Sequence, residues 1–212
     1  MKRIIGPSFV ICLVIAAVGL SSFAVSYRQE EELSPAGICA DMPLLPPLKD
    51  SIASQKAFLN AYKVLMSPRC MNCHPKGDVP LQGEDSQLHT QGVKRGLDGR
   101  GVYALKCANC HQPSNSAGAH TPPGNPNWHL PPANMKMVFE GKSPRELAAQ
   151  LKDYKRNGNK TMAQLIDHVT NDKLVLGGWN PGEGRKLPPL SHEEFAKNFK
   201  DWIDKGAYLP AK

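Results

Sequence analysis

Apolar residues recur at helical spacing in several stretches of the chain. Phe58, Tyr62 and Leu65 fall at i, i+4 and i+7 and predict a helix from Ser51, its cap, to about Met66, with Pro68 as its stop. Ser143-Pro144-Arg145-Glu146 holds the residues of a capping box with proline at the first helical position, so a helix is expected to follow and to end before Gly158. Thr161-Met162-Ala163-Gln164 repeats the box for a short helix to about Val169. Ser191-His192-Glu193-Glu194 opens the last helix, with Leu190 and Phe195 as a hydrophobic staple. Phe195, Phe199, Trp202 and Ile203 form its buried stripe, and Gly206 supplies its C-terminal glycine. A further helix is expected from about Arg100, carrying Tyr103 and Leu105 into Cys107. No stretch alternates as a strand would, so the expected class is all-α with long loops.

The first fifty residues follow a different pattern. Lys2 and Arg3 precede an apolar run from Ile4 to Val25, and Ser22-Phe23-Ala24 has the small-x-small form of a cleavage site. Residues 1–24 are read as a secretory signal. The run at 4–25 is also long enough to span a bilayer, so an uncleaved membrane anchor is the competing reading. Both place the remainder outside the cytoplasm, in the periplasm or beyond, free or anchored to the cytoplasmic membrane. Residues 25–50 are polar and then proline-rich (Pro43, Pro46, Pro47) and are expected to form a tether. That leaves residues 51–212 as one domain. Cys39 lies in the tether. With Cys12 removed in the signal it has no uncommitted intramolecular partner, which leaves a free thiol or an intermolecular bond.

Nineteen prolines and eighteen glycines in 212 residues mean that loops must carry much of the structure. The net charge of +7 falls to +5 without the signal, which holds Lys2 and Arg3 and no acid. No basic run interleaved with aromatic residues is present, so nucleic acid is not an expected partner.

The chemistry lies in two short runs, Cys70-Met71-Asn72-Cys73-His74 and Cys107-Ala108-Asn109-Cys110-His111. Each reads C-x-x-C-H, the attachment signature of a c-type haem. The two thiols bond one porphyrin edge as thioethers, and the histidine ligates the iron from the proximal side. Two covalently attached haem c groups are therefore expected, held by Cys70, Cys73, Cys107 and Cys110 with His74 and His111 on iron. Zinc is the competing reading, since two C-x-x-C pairs also make an oversized ribbon. A four-cysteine zinc site has no use for a histidine after each pair, and export suits thioether attachment. A disulfide within each pair is a third reading. The motifs begin at residues 70 and 107, too close for two full cytochrome domains in series. The haems are expected to share one small domain.

The run from Gly99 to His111 resembles the N-terminal helix and haem site of a class I cytochrome c. Asn125-Pro126-Asn127-Trp128 resembles that family's Gly-Pro-x-Leu, whose proline carbonyl accepts from the proximal histidine; the match implies that Pro126 orients His111. Leu187-Pro188-Pro189-Leu190 with the helix after it resembles the family's closing segment, and implies cytochrome c-like helices around the haems. Leu187 stands where many relatives carry the distal methionine ligand, and leucine has no lone pair to give. More narrowly, residues 66–207 resemble the dihaem cytochrome subunits that accompany periplasmic molybdenum hydroxylases of the isoquinoline 1-oxidoreductase type. The phrases Pro80-Leu81-Gln82-Gly83-Glu84-Asp85-Ser86, Asn127-Trp128-His129-Leu130-Pro131-Pro132 and Trp179-Asn180-Pro181-Gly182-Glu183-Gly184-Arg185 carry this likeness. It implies a redox partner that delivers electrons to this chain.

The sixth iron ligands must come from the remaining histidines or from Met135, Met137 and Met162. His168, well beyond the proximal segment, is expected to serve the second haem, with Met137 as rival. His89, in a polar loop after His74, is expected to serve the first, with His120 as rival. His129 is expected on the proximal side and His192 in solvent. An exported electron carrier between a partner dehydrogenase or hydroxylase and the respiratory chain is the leading functional reading, with no catalysis of its own. A dihaem peroxidase or other haem enzyme with an open iron position is the alternative, and a haem-based gas sensor stands behind both.

Overall fold

Leu48–Leu65 is the first helix of the computed structural model, which describes residues 48–211. These residues belong to one unit, Leu44–Lys212. The expected signal or anchor, most of the tether and Cys39 lie outside the described residues. Helix α1 (Leu48–Leu65) is already running at Ser51, so Ser51 is a helical residue and not the cap expected of it.

The fold is mainly helical. After α1 come α2 (Pro68–Met71), α3 (Pro144–Lys152), α4 (Met162–Asn171), α5 (Lys173–Leu176) and α6 (His192–Asp204). Three of these start where the sequence places them. Ser143, Thr161 and Ser191 each accept at the side chain from the backbone N–H three residues on, and Glu146, Gln164 and Glu194 return the bond to the cap N–H. At the far end of α6, Gly206 has φ +98°. Its N–H donates to Ile203 while Ala207 N–H donates to Trp202, closing a Schellman motif.

Helices α1, α3, α4 and α6 enclose the main core. Ala57, Phe58, Ala61, Val64 and Leu65 of α1 meet Phe195, Phe199 and Trp202 of α6, with Leu147, Leu151, Leu165 and Val169 filling the sides. The rings of Phe58 and Trp202 lie 4.6 Å apart at centroid. Ser54 bridges the seam: its hydroxyl donates to the Trp202 carbonyl at 2.8 Å and accepts from Tyr208 N–H at 3.0 Å. A buried hydroxyl satisfied on both sides carries no desolvation penalty.

The long segment 72–142 is built otherwise. Among the described residues it gives this core one buried side chain, Phe139, with Met137 packed against it. Its regular structure is two short antiparallel hairpins, β1 (Leu81–Gln82) with β2 (Gln87–Leu88) and β3 (Gly101–Val102) with β4 (Leu105–Lys106). Much of its interior is polar. Arg95, only 1 % exposed, donates to the carbonyls of Pro131 (2.6 Å) and Gly77 (3.1 Å) and stands 3.6 Å from the Asp78 carboxylate. A buried guanidinium is tolerable only when its donors are met in this way.

The β3–β4 hairpin replaces the helix expected from Arg100. Gly99 holds φ +80°, and a Cβ there would lie 1.8 Å from the Leu130 carbonyl oxygen. Tyr103 sits in the turn at φ 48° and is 94 % exposed. Positive φ at both positions breaks the helical path, and Tyr103 buries no apolar face that would favour one.

Candidate functional site

The first motif is wound onto the end of α1. Ser67 and Pro68 start α2, and the turn continues as Cys73 N–H donates to Cys70 and His74 N–H to Met71. The His74 ring is fixed on two sides. Its Nδ1 lies 2.6 Å from the Met137 carbonyl, and its face stacks on Phe139 at 3.8 Å and 7°. A carbonyl can only accept, so Nδ1 carries the hydrogen and Nε2 keeps its lone pair. Burial lowers the His74 pKa to about 4, which keeps the ring neutral and fit to ligate a metal. The main chain is gripped as well: the His74 carbonyl accepts from both Phe139 and Glu140 N–H. Burial pushes the Cys70 thiol up to about 12 and Cys73 up to about 11, the latter helped by the nearby Cys107.

The second motif is built from loop to the same plan. Cys107–Asn109 forms a single 3-10 turn after β4, and His111 N–H donates to Cys107. The His111 Nδ1 lies 2.8 Å from a backbone carbonyl, and the ring stacks on Trp128 at 4.0 Å and 7°. That carbonyl belongs to Pro123, not to Pro126 as the cytochrome likeness implies. The reason is the turn at Asn125. Its side chain is held by the Lys173 carbonyl and in turn accepts from Asn127 N–H, while its own carbonyl takes Trp128 N–H. This folds Trp128 back under His111 and leaves Pro123 facing the ring nitrogen. Burial lowers the His111 pKa too.

The structure brings His89 to the motif opposite the one expected. His89, expected near His74, has its ring 6.5 Å from that of His111. The hairpin just before it carries it across: Leu81 N–H donates to Asn72, β1 and β2 run out and back, and His89 N–H donates to Pro80. His168, expected near His111, is close enough to His74 for its charge to lower that ring's pKa. It sits on α4 with Nδ1 3.4 Å from the Asp172 carboxylate. Burial is the main cause of its own lowered pKa.

The rivals are placed as follows. Met137 lends His74 its backbone carbonyl, while its side chain packs against the helical core. His129 bonds the Asn127 carbonyl through Nδ1 at 2.6 Å. His120 is exposed and lies against Gly184. His192 is not in free solvent: its Nε2 meets the Val169 carbonyl at 2.9 Å, and it packs edge-on to Trp179. Leu187 is 62 % exposed.

Sequence reasoning missed Phe139, Trp128 and the two carbonyls. The only available signal was an aromatic residue in each segment that follows a motif. The residues present fit haem. Each motif offers two free thiols and a neutral imidazole whose inner nitrogen is already engaged. Beside the first motif the enclosed Arg69 Nε has no hydrogen-bond partner, and a bound group bearing carboxylates would meet it. Among the described residues no three Cys, His, Asp or Glu side chains gather as ligands for one ion, and the four motif cysteines form no zinc set. No described helix is long and apolar enough to cross a membrane. Comparison with protein-family models, curated proteins and solved structures finds no match.

Proposed function

We propose that this chain is an exported dihaem c-type cytochrome that passes electrons from a partner dehydrogenase or hydroxylase toward a respiratory chain. One observation carries the reading: the same seat is made twice. In each, a C-x-x-C-H histidine donates through Nδ1 to a backbone carbonyl and lays its face on an aromatic ring. The carbonyl sets the tautomer and the aromatic ring sets the rotation, as a metal-ligating imidazole requires. When bound, each haem supplies a one-electron Fe(III)/Fe(II) couple. The protein's part is to hold the imidazoles neutral and oriented and to bring the two motifs together. The loop rooted at Asn72 brings His89 to His111, which links the two motifs and supports transfer between their haems. The imidazole of His89 beside His111 favours electron carriage over catalysis at an open iron there. By the sequence likeness, the electron donor is a periplasmic molybdenum hydroxylase.

The test is expression in a host that attaches haem by thioether bonds, followed by intact mass and haemochrome spectra. Two haems per chain are expected, with one lost in each of the variants C70A/C73A and C107A/C110A. A mature chain carrying no added mass would overturn the proposal.

A further inference from the structure

The spacing of His89 and His111 carries a further step. Their ring centroids are 6.5 Å apart and their planes 58° apart. The two rings do not stack face to face, as His74 does on Phe139 at 3.8 Å and His111 on Trp128 at 4.0 Å. Two metal–nitrogen bonds of about 2 Å each, plus half of each imidazole, span roughly 6 Å. Each ring can contain the common axis at any mutual rotation, so 58° is compatible with a shared metal. His89 also reaches this place with Nδ1 enclosed and unpartnered, an arrangement that calls for a missing ligand. Its backbone is anchored elsewhere, through Pro80, Leu81 and Asn72, to the first motif.

We propose that His89 is the sixth ligand of the iron held at Cys107, Cys110 and His111, so that the loop rooted in the first haem's motif closes the second haem. The proposal rests on the dihaem reading and adds a cross-brace to it. The second iron is then six-coordinate with two imidazoles, which lowers its potential relative to a methionine-ligated haem and blocks small ligands. The loop from Asn72 to His89 becomes a structural link between the two cofactors.

The experiment uses the full holo-protein. In H89A, mass and haemochrome spectra should still count two haems. Ferric EPR should show one of the two low-spin signals replaced by a high-spin one, and carbon monoxide should bind one reduced haem where the parent binds none. H89M should restore a low-spin haem of higher potential. In C107A/C110A, which keeps only the first haem, adding H89A should leave the remaining signal unchanged. H168A in C70A/C73A should likewise leave the second haem low-spin. Two haems that both stay low-spin in H89A would overturn this inference and leave the dihaem reading intact. Loss of the low-spin signal when H89A is added to C107A/C110A would also overturn it. Absence of haem in the parent would overturn both.

Discussion

The two C-x-x-C-H seats have one design in two materials. The first rests on helices: Cys70 packs against the apolar core, and Phe139, under the His74 ring, is a buried member of it at 5 % exposure. The second rests on loops. Cys110 is exposed, Tyr103 stands in solvent, and Trp128, under the His111 ring, is only half-buried. Identical ligand geometry therefore does not imply equal rigidity. The first seat inherits its order from a core that buries its own apolar surface. The second depends on the polar contacts of the Asn125 turn.

Substitutions under the two rings should expose this difference most strongly. Phe139→Ala should cost about 3–5 kcal/mol in denaturant unfolding of the holo-protein, because it opens a cavity in the core. Trp128→Ala should cost less than about 2 kcal/mol, since that ring is only partly buried and lies outside the apolar core. An equal or larger loss from Trp128 would end the distinction between a helical and a loop-built seat. Next, Gly99→Ala should cost about 1–3 kcal/mol through backbone strain at φ +80° and the clash with the Leu130 carbonyl. Peptide mapping should find haem depleted at Cys107 and Cys110 and retained at Cys70 and Cys73. Equal depletion at both would mean that the seats fold as one.

Smaller effects test the helical side alone. Ser191→Ala should cost about 1 kcal/mol by removing a capping box, with the spectra of both haems unchanged. The acid side of the stability curve should show the same boxes. Glu146 and Glu194 are held below the usual glutamate value by bonds from Ser143 and Ser191. Their folded pKa is depressed, so their contribution is complete above the unfolded value of 4.5 and is lost as pH falls through and below it. A melting temperature followed from pH 7 to pH 3 should fall less steeply in the variant S143A/S191A. Parallel curves would remove the caps as the cause.

What could be read from the chain beforehand follows the range of the interaction. The three capping boxes and the Gly206 terminus need only four or five adjacent residues, and they stand where the pattern places them. The apolar stripe of α6 is local in the same sense. The region 99–106 misled because an apolar Tyr-Ala-Leu run resembles a helix, whereas the turn is decided by Gly99 meeting Leu130, thirty-one positions away. The partners of His74 and His111 are set over comparable distances, by Met137 and by the Asn125 turn. The place of His89 escaped for a like reason: no count of residues reveals that the loop of β1 and β2 brings it beside His111.

The Ser54 bridge has a consequence for the order of assembly. Its two partners lie at residues 202 and 208, so α1 cannot be sealed before nearly the whole chain has been made and delivered. Both thiol pairs, at 70–73 and 107–110, emerge long before that. The wall that α1 and α6 form together is raised only afterwards. Residues 192–208 are thus the closing strap of the helical core.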